Sequence, residues 1–388
     1  MQDREDADTV SRYHHKGDAD MIIRAQKTEL QRAIRTVMSA IPGKTTMDIL
    51  TCILIDATVD QIKFTATDTE LGIETVVSGE IDERGLICID AKLFSDIVSK
   101  LPNSEVTITT DSNLQIRITC ENTELRIAGK DGTEFASLPS IDRENPVVMS
   151  QFALREMIEQ TIFSIAVNDA NKLMTGALLE TNENEIRMVC LDGHRIAIRR
   201  MKLDEVVPTF KVIIPGKTLS DLQKIMSGEE EDKVHIYFTK NEVLFDLEGT
   251  IVVSRLIEGT YFRIDQMLSN DFDTKITVRK ADLSASVGRA MLFTSESEKR
   301  PLVVSITDRD MNLKINSPAR GSMSDDIQIT KEGKDLMIGF NPKFVADALN
   351  VIRDDEITIY FLNSKSPCFI RDEQQSYVYL ILPVNFVA

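Results

Sequence analysis

One helical pattern occurs three times in this chain, and it limits the possible folds more than any other feature. It runs over Ala91–Leu101, Gly216–Met226 and Pro342–Ile352. Aligned, the copies give a lysine column (Lys92, Lys217, Lys343) and, one turn later, an aspartate column (Asp96, Asp221, Asp347). Successive copies stand 125 and 126 residues apart. That period is too long for a solenoid repeat and fits three sister domains. The columns Phe94/Leu219/Val345, Ile97/Leu222/Ala348 and Leu101/Met226/Ile352 fall at i, i+3 and i+7, one apolar stripe of a helix that packs on a sheet. The lysines lie off that stripe and can face solvent or a ligand. Each lysine could also pair with the aspartate four residues on, worth about 0.2–0.5 kcal/mol on an exposed helix.

The rest of each unit follows one plan. A short strand leads into a first helix, at Lys27–Ala40, Phe152–Ile165 and Lys280–Phe293. In the first of these Leu30, Ile34, Val37, Met38 and Ile41 recur at helical spacing. Alternating runs follow at Leu50–Val77, Met174–Met201 and Leu302–Ile329, broken at Asp, Asn and Gly turns. A short strand (Leu86–Ile89, Lys211–Ile214, Leu336–Phe340) enters the repeated helix, and three strands close the unit, as in Val106–Thr110, Leu114–Thr119 and Leu125–Ala128. The fold class is therefore α+β: three similar domains, each with two helices packed on antiparallel sheets. The expected divisions are 1–20, a polar disordered extension without a secretory h-region, then domains over 21–145, 146–268 and 269–388.

The formal net charge of −17 argues against a simple groove-reading DNA binder, whose footprint is usually basic. No apolar run reaches the roughly 18 residues of a membrane span. Cys52, Cys88, Cys120, Cys190 and Cys368 are scattered without a C-x-x-C pair, which reads as buried reduced thiols and suggests the cytoplasm. With only His194 and His235 beyond the leader, no structural metal is expected, and no cofactor. Gly43-Lys44-Thr45 and Gly216-Lys217-Thr218 look like the end of a P-loop. The glycine required five residues earlier is Met38 in one and Lys211 in the other, so neither cradles a phosphate. An Asp192–His194 pair can serve general base chemistry, but no nucleophile elbow accompanies it. The acidic runs Glu229–Asp232 and Asp354–Glu356 lack an EF-hand frame and read as solvated turns.

From Met21 to the C-terminus the chain resembles the bacterial sliding clamp family, the beta subunit of DNA polymerase III. The segments Leu191–Ala197 (LDGHRIA), Leu256–Gly259 (LIEG), Ile338–Asn341 (IGFN) and Tyr379–Val384 (YLILPV) carry that resemblance jointly. It implies a non-catalytic processivity factor: a head-to-tail homodimer forming a ring of six domains, with helices lining the hole and sheets outside. Leu292 and Phe293 match the family's interface positions, and Leu125 and Ile127 lie on the strand matching the facing edge. A ring holds DNA by topology, so excess acid on its outside is no obstacle to sliding.

The resemblance makes Lys44, Lys92, Arg155, Lys172, Lys217 and Lys224 the candidate inward-facing cations. Of these Lys44, Lys92 and Lys217 align with DNA-facing basic residues of the family. It also implies a peptide groove between the second and third domains. That groove would use Met174, Leu191, Gly193, His194, Arg195, Ile196, Phe262, Gln266, Met267, Asn341, Phe344 and Pro367, with Leu380, Ile381, Leu382, Pro383, Val384, Asn385 and Phe386 of the tail. Met, Leu, Ile and Phe make adaptable apolar sub-pockets, while Asn341, His194 and Arg195 are the expected polar anchors. The implied partners are duplex DNA read without sequence preference, a replicative DNA polymerase subunit, the clamp-loader complex and other proteins with the clamp-binding motif, a short segment carrying a Gln and a Leu/Phe pair. The family often has proline where Phe262 stands and a basic residue where Gln266 stands. The competing reading of the same residues is a monomeric peptide-binding adaptor of the same fold; a hydrolase is a distant third.

Overall fold

The computed structural model describes residues 21–386 except 168 and 296–299, so the extension over 1–20 lies outside the described residues. Its packing resolves into two compact units. One runs to Ser140 and takes in Leu244–Val253; the other comprises Ile141–Val243 and Ser254 onward.

The first unit contains β1 (Ile22–Gln26), α1 (Lys27–Val37), β2 (Cys52–Asp56), β3 (Ile62–Thr67), β4 (Leu71–Val77), β5 (Gly79–Glu83), β6 (Leu86–Asp90), α2 (Ala91–Lys100), β7 (Glu105–Thr110), β8 (Gln115–Cys120), β9 (Thr123–Ala128) and β10 (Lys130–Asp131). The same order returns as β11 (Val147–Ser150), α3 (Gln151–Glu159), β12 (Gly176–Asn182), β13 (Glu185–Leu191), β14 (Arg195–Lys202), β15 (Lys211–Pro215), α4 (Gly216–Ile225), β16 (Lys233–Phe238), β17 (Glu242–Asp246) and β18 (Thr250–Arg255). The third pass is β19 (Thr274–Arg279), α5 (Lys280–Met291), β20 (Leu302–Ile306), β21 (Asp310–Ser317), β22 (Gly321–Gln328), β23 (Thr330–Gly333), β24 (Leu336–Phe340), α6 (Pro342–Val351), β25 (Glu356–Phe361), β26 (Cys368–Arg371) and β27 (Tyr377–Ile381).

In the first unit one sheet runs β5-β1-β7-β8-β9, and β18 stands beside β4 at the end of β10-β6-β2-β3-β4. Thr75 of β4 and Thr250 of β18 share a buried hydroxyl hydrogen bond of 2.7 Å. The second unit holds the sheet β15-β12-β13-β14-β27-β26-β25-β19-β23 and the smaller β22-β21-β20-β24. There the third strand after the first helix of the middle repeat meets the last strand of the final one: β14 and β27 pair antiparallel from Arg195–Ile381 to Arg199–Tyr377.

Burial holds the helices. On α1 the residues Leu30, Ile34 and Val37 of the expected stripe are buried together with Ala33, while Met38 and Ile41, past the end of the helix, are half-buried. On the repeated helices Phe94, Leu219 and Val345 are buried, as are Leu101, Met226 and Ile352. Each such side chain contributes about 1.5–3 kcal/mol, several times the most an exposed Lys–Asp pair could add. In α2 the stripe shifts by one: Val98 is fully buried while Ile97 is only half-buried, since 3.6 residues per turn lets i+4 replace i+3. The lysine column is exposed in all three copies. Two of the aspartates meet further cations: Asp221 takes Lys224 at 2.9 Å and Asp347 takes Arg195 at 2.6 Å.

A second triplication appears only in the structure. The first residue of each first helix donates its N–H to a carbonyl beyond the second helix: Lys27 to Ser104 (3.1 Å), Gln151 to Asp232 (2.8 Å) and Lys280 to Asp355 (2.8 Å). Lys27 Nζ also donates to Ser99 O and Leu101 O at the end of α2, and Lys280 Nζ to Ile352 O at the end of α6. Each clasp satisfies an orphan N–H of one helix, and the two lysines also reach orphan carbonyls of the other.

Candidate functional site

The segment that shapes the site is Asp192–Arg195, where β13 turns into β14. Gly193 adopts φ +83°, a left-handed conformation that glycine tolerates without penalty. Asp192 Oδ1 accepts the backbone N–H of His194 (3.0 Å) and of Arg195 (3.1 Å), and its Oδ2 accepts Arg195 Nε (3.0 Å). The carboxylate is thus engaged by the turn and by Arg195, and the His194 ring instead stacks on Phe344 at 6.0 Å.

Arg195 is buried, and each of its three guanidinium nitrogens donates a hydrogen bond. Besides Asp192, it donates to Asp347 Oδ2 (2.6 Å) and to the Phe163 carbonyl (2.5 Å), and its guanidinium lies 4.5 Å from the Phe344 ring centre. These bonds bracket β14 to α6 and fix the guanidinium that the sequence offers as a polar anchor.

Beside this turn lies a cleft of about 560 Å³. Leu191, Ile196 and Leu380 form its buried floor. Met174, Phe262, Met267, Pro367 and Leu382 rise around it, and Gly193, His194 and Arg195 close one end. Its surface is overwhelmingly apolar, as suits capture of a Leu or Phe side chain. On the other side of His194 a second hollow of about 300 Å³ is lined by Asn341, Phe344, Val384 and Asn385, with Arg300 and Pro301. Asn341 Oδ1 caps α6 by accepting from Lys343 N (3.1 Å), which leaves the amide NH2 as the group it presents.

Four of the sequence-derived residues do not line either space. Gln266 is exposed outside the cleft. Ile381 is 1% exposed and turns into the core of the third domain, because successive strand residues alternate faces and its neighbours Leu380 and Leu382 take the cleft side. Pro383 is half-buried beyond the strand, and Phe386 packs over Gly339. Conversely, Arg300 and Pro301 carry no periodic or motif signal that would have singled them out.

The six candidate cations are all exposed. Lys92 is on α2, Arg155 on α3, Lys217 and Lys224 on α4, with Lys44 and Lys172 in connecting segments. Across the six helices eleven basic side chains stand against seven acidic ones, a balance of +4 in a chain of −17. Charge is therefore segregated by secondary structure.

Among the edge strands of the described sheets are β9 and β22. β9 pairs only with β8, and β22 only with β21. Leu125 and Ile127 of β9 are half-buried; Leu292, just past α5, is 68% exposed, and Phe293 is half-buried. All five cysteines are free and buried. Among the described residues no group of three His, Cys, Asp or Glu side chains is placed to hold a metal, and no helix is long and apolar enough to cross a membrane.

Comparison with known proteins covers nearly the whole chain. Residues 21–139, 148–262 and 265–385 match family models described as the N-terminal, central and C-terminal domains of the DNA polymerase III beta subunit. A beta sliding clamp of Staphylococcus aureus is 31% identical over 362 residues, spanning 91% of this chain and 96% of its own. Among solved structures, a putative DNA polymerase III beta subunit from Eubacterium rectale is 51% identical with a TM-score of 0.91, covering 94% of this chain and 100% of that one. The DNA polymerase sliding clamp of Bacillus subtilis is 30% identical, also at 0.91, covering 95% and 100%.

Proposed function

The chain belongs to the DNA polymerase III beta subunit family, and from that membership we propose how its surfaces divide the work of a clamp. Its function is that of a DNA sliding clamp and processivity factor. The reading is of a non-catalytic subunit of three domains, over 21–145, 146–268 and 269–388. Two copies close head to tail around duplex DNA, and a peptide cleft on each copy tethers the replicative polymerase, the clamp loader and other motif-bearing proteins.

The observation that carries the ring is the pattern of strand edges. The third strand after the first helix of one domain stands beside the third strand after the second helix of the next: β4 beside β18, then β14 beside β27. Repeating that rule leaves β22 without a successor and β9 without a predecessor. A second copy supplies each with its partner, a heterologous contact that closes when the rotation allows. Leu292, Phe293, Leu125 and Ile127 then become the apolar part of the junction. Open edges invite pairing with another chain, and this arrangement covers them.

DNA is held by enclosure and only weakly by charge. A helix balance of +4 supports few phosphate contacts, and phosphate contacts carry no sequence information. The cleft of Leu191, Ile196, Leu380 and their neighbours supports the tethering role by its size and apolar lining. The test has three parts. The loaded protein is retained on circular DNA and lost from freely ended linear DNA; equal loss from both refutes enclosure. Sedimentation shows a dimer at micromolar concentration that Leu292→Asp converts to monomer; a wild-type monomer favours the adaptor reading. Deleting Pro383–Ala388 abolishes peptide binding and leaves the dimer.

A further inference from the structure

The wall of the cleft that carries Phe262 and Met267 is not part of any sheet. It belongs to the segment between β18 and β19, and a 3-10 turn over Ile264–Met267 is its only regular element. Space lies on both sides of it. The 560 Å³ cleft borders Phe262, and a separate hollow of about 540 Å³ borders the preceding residues Glu258–Tyr261. Gly259, at φ +137°, begins the turn in a conformation that residues with a Cβ rarely adopt. Tyr261 and Ile264 anchor the segment in the core, whereas Asp265 and Met267 are exposed on its outer side, where packing fixes them less and a polar tie bears on where this part of the wall stands.

One attachment is polar and comes from the sheet. Arg187 of β13 donates from Nη1 to Asp265 Oδ1 at 2.7 Å, inside the turn and midway between Phe262 and Met267. Arg187 is itself held. Its side chain is 15% exposed and pairs with Glu180 across the strands, and Glu180 also takes Lys211 at 3.3 Å. A held cation thus reaches out to a carboxylate that is 71% exposed on the outer side of the turn, next to the buried Ile264. The hydrogen bond from Arg187 holds the Asp265 carboxyl below its usual range.

We propose that Arg187 is a positioning residue of the peptide cleft, which holds Asp265 and thereby sets where the Phe262–Met267 wall stands. The proposal rests on the peptide-cleft reading above and gives that cleft a support outside its own lining. Removing the tie leaves the apolar contacts intact but makes the wall pay an ordering cost when a ligand seats against it.

The test uses the full-length protein, a labelled synthetic peptide ending in a Leu-Phe pair, and 13C-methyl methionine NMR. Asp265→Asn and Arg187→Met should each weaken the peptide about threefold at low salt, as expected for a half-exposed ion pair. The double variant should lose no more than either alone. Raising the salt should bring wild type down toward the variants, which change little themselves. Without any peptide, Asp265→Asn should move the Met267 methyl resonance and leave that of Met47 in place. Wild-type affinity in Asp265→Asn, or losses that multiply in the double variant, overturns the proposal. An unmoved Met267 resonance overturns it too. A wild-type protein that binds no peptide while Met267 still shifts overturns the cleft reading instead and leaves the positioning role standing.

Discussion

Arg195 of β14 and Asp347 of α6 form a part-buried ion pair, Nη1 to Oδ2 at 2.6 Å, between residues 152 positions apart. It joins the middle repeat to the last. Arg195 is 8% exposed at its side chain and Asp347 24%, so neither charge is well solvated if the other leaves. The same guanidinium holds the Asp192 turn and the Phe163 carbonyl. Replacing it by Met strands Asp347 and leaves Asp192 held by the N–H groups of its turn; for a pair that is only part-buried the cost is about 2 kcal/mol. Arg195→Met should lower the urea midpoint of the second compact unit by a corresponding amount and weaken peptide binding in parallel. Arg195→Lys should fall between, because an ammonium lacks the planar fork that reaches three acceptors in different directions. Unchanged unfolding in Arg195→Met would mean that the bracket is not structural.

Gly339 sets the course of the tail. A Cβ there would sit 2.7 Å from Phe386 Cδ1 and 2.9 Å from the Val384 carbonyl oxygen. A ring can swing aside; a backbone oxygen cannot without moving the chain. Val384 N donates to Gly339 O at 2.8 Å, so the substitution strikes the point where the tail is fastened to β24. Gly339→Ala should detach residues from Val384 onward, widen the hollow beside Phe344 and speed carboxypeptidase trimming. Peptide affinity should drop while the dimer persists. A tail as protected as in wild type would show that the contact yields without displacement.

The three repeated helices were legible because burial writes a period into the sequence, and the period recovers where a helix lies to within a few residues. It does not choose between i+3 and i+4, which is why Val98 and not Ile97 completes the stripe in α2. The cleft floor was legible through its matching segments, yet Ile381 was placed there although strand alternation sends it to the core. The clasp by Lys27, Gln151 and Lys280 has no signature, since its acceptors are backbone carbonyls that any residue supplies. Arg195 was recognisable as important, but its partners Asp347 and Phe163 meet it only through the fold. The hairpin residues 244–253 pack with the first unit, a long-range association that no local pattern encodes.

Burial pushes the thiols of Cys88, Cys190 and Cys368 up from the usual 9.0 to about 12. Their folded state therefore holds protons that the unfolded state releases above pH 9. The stability these groups contribute is fully present below that pH and is lost as pH rises toward 12, by about 1.4 kcal/mol per pH unit for each thiol at most. Tyr261, Tyr377 and Tyr379 are also raised by burial and act in the same direction. Unfolding midpoints should be flat from pH 7 to 9 and fall steeply beyond. Iodoacetamide at pH 8 should leave the three cysteines unmodified in the native protein, as thiolate is only about one part in ten thousand there. Rapid labelling of Cys190 under native conditions would show that its surroundings open far more often than its burial implies.

Lys92 and Lys224 separate the DNA reading from a generic surface charge. Both are exposed, and both belong to the repeated helix, in α2 and α4. Lys224 stands 2.9 Å from Asp221 Oδ1, so its charge is already partly answered within the protein, and Asp221 is itself buried. A lysine so paired gives up part of an existing interaction to meet a phosphate, and the carboxylate remains nearby to repel the backbone. Binding of the dimer to duplex DNA, measured from 50 to 200 mM salt, reads the number of phosphates engaged through its slope. Each lost contact lowers that slope by roughly 0.9. Lys92→Ala should reduce it by close to that amount and Lys224→Ala by clearly less, while Asp221→Asn should raise affinity by freeing Lys224. Sedimentation should show an intact dimer in all three, which keeps the effect on DNA apart from the effect on assembly. Equal slopes for wild type and Lys92→Ala would remove α2 from the DNA-facing surface and shift the assignment to the remaining candidates, beginning with Lys44 and Lys217.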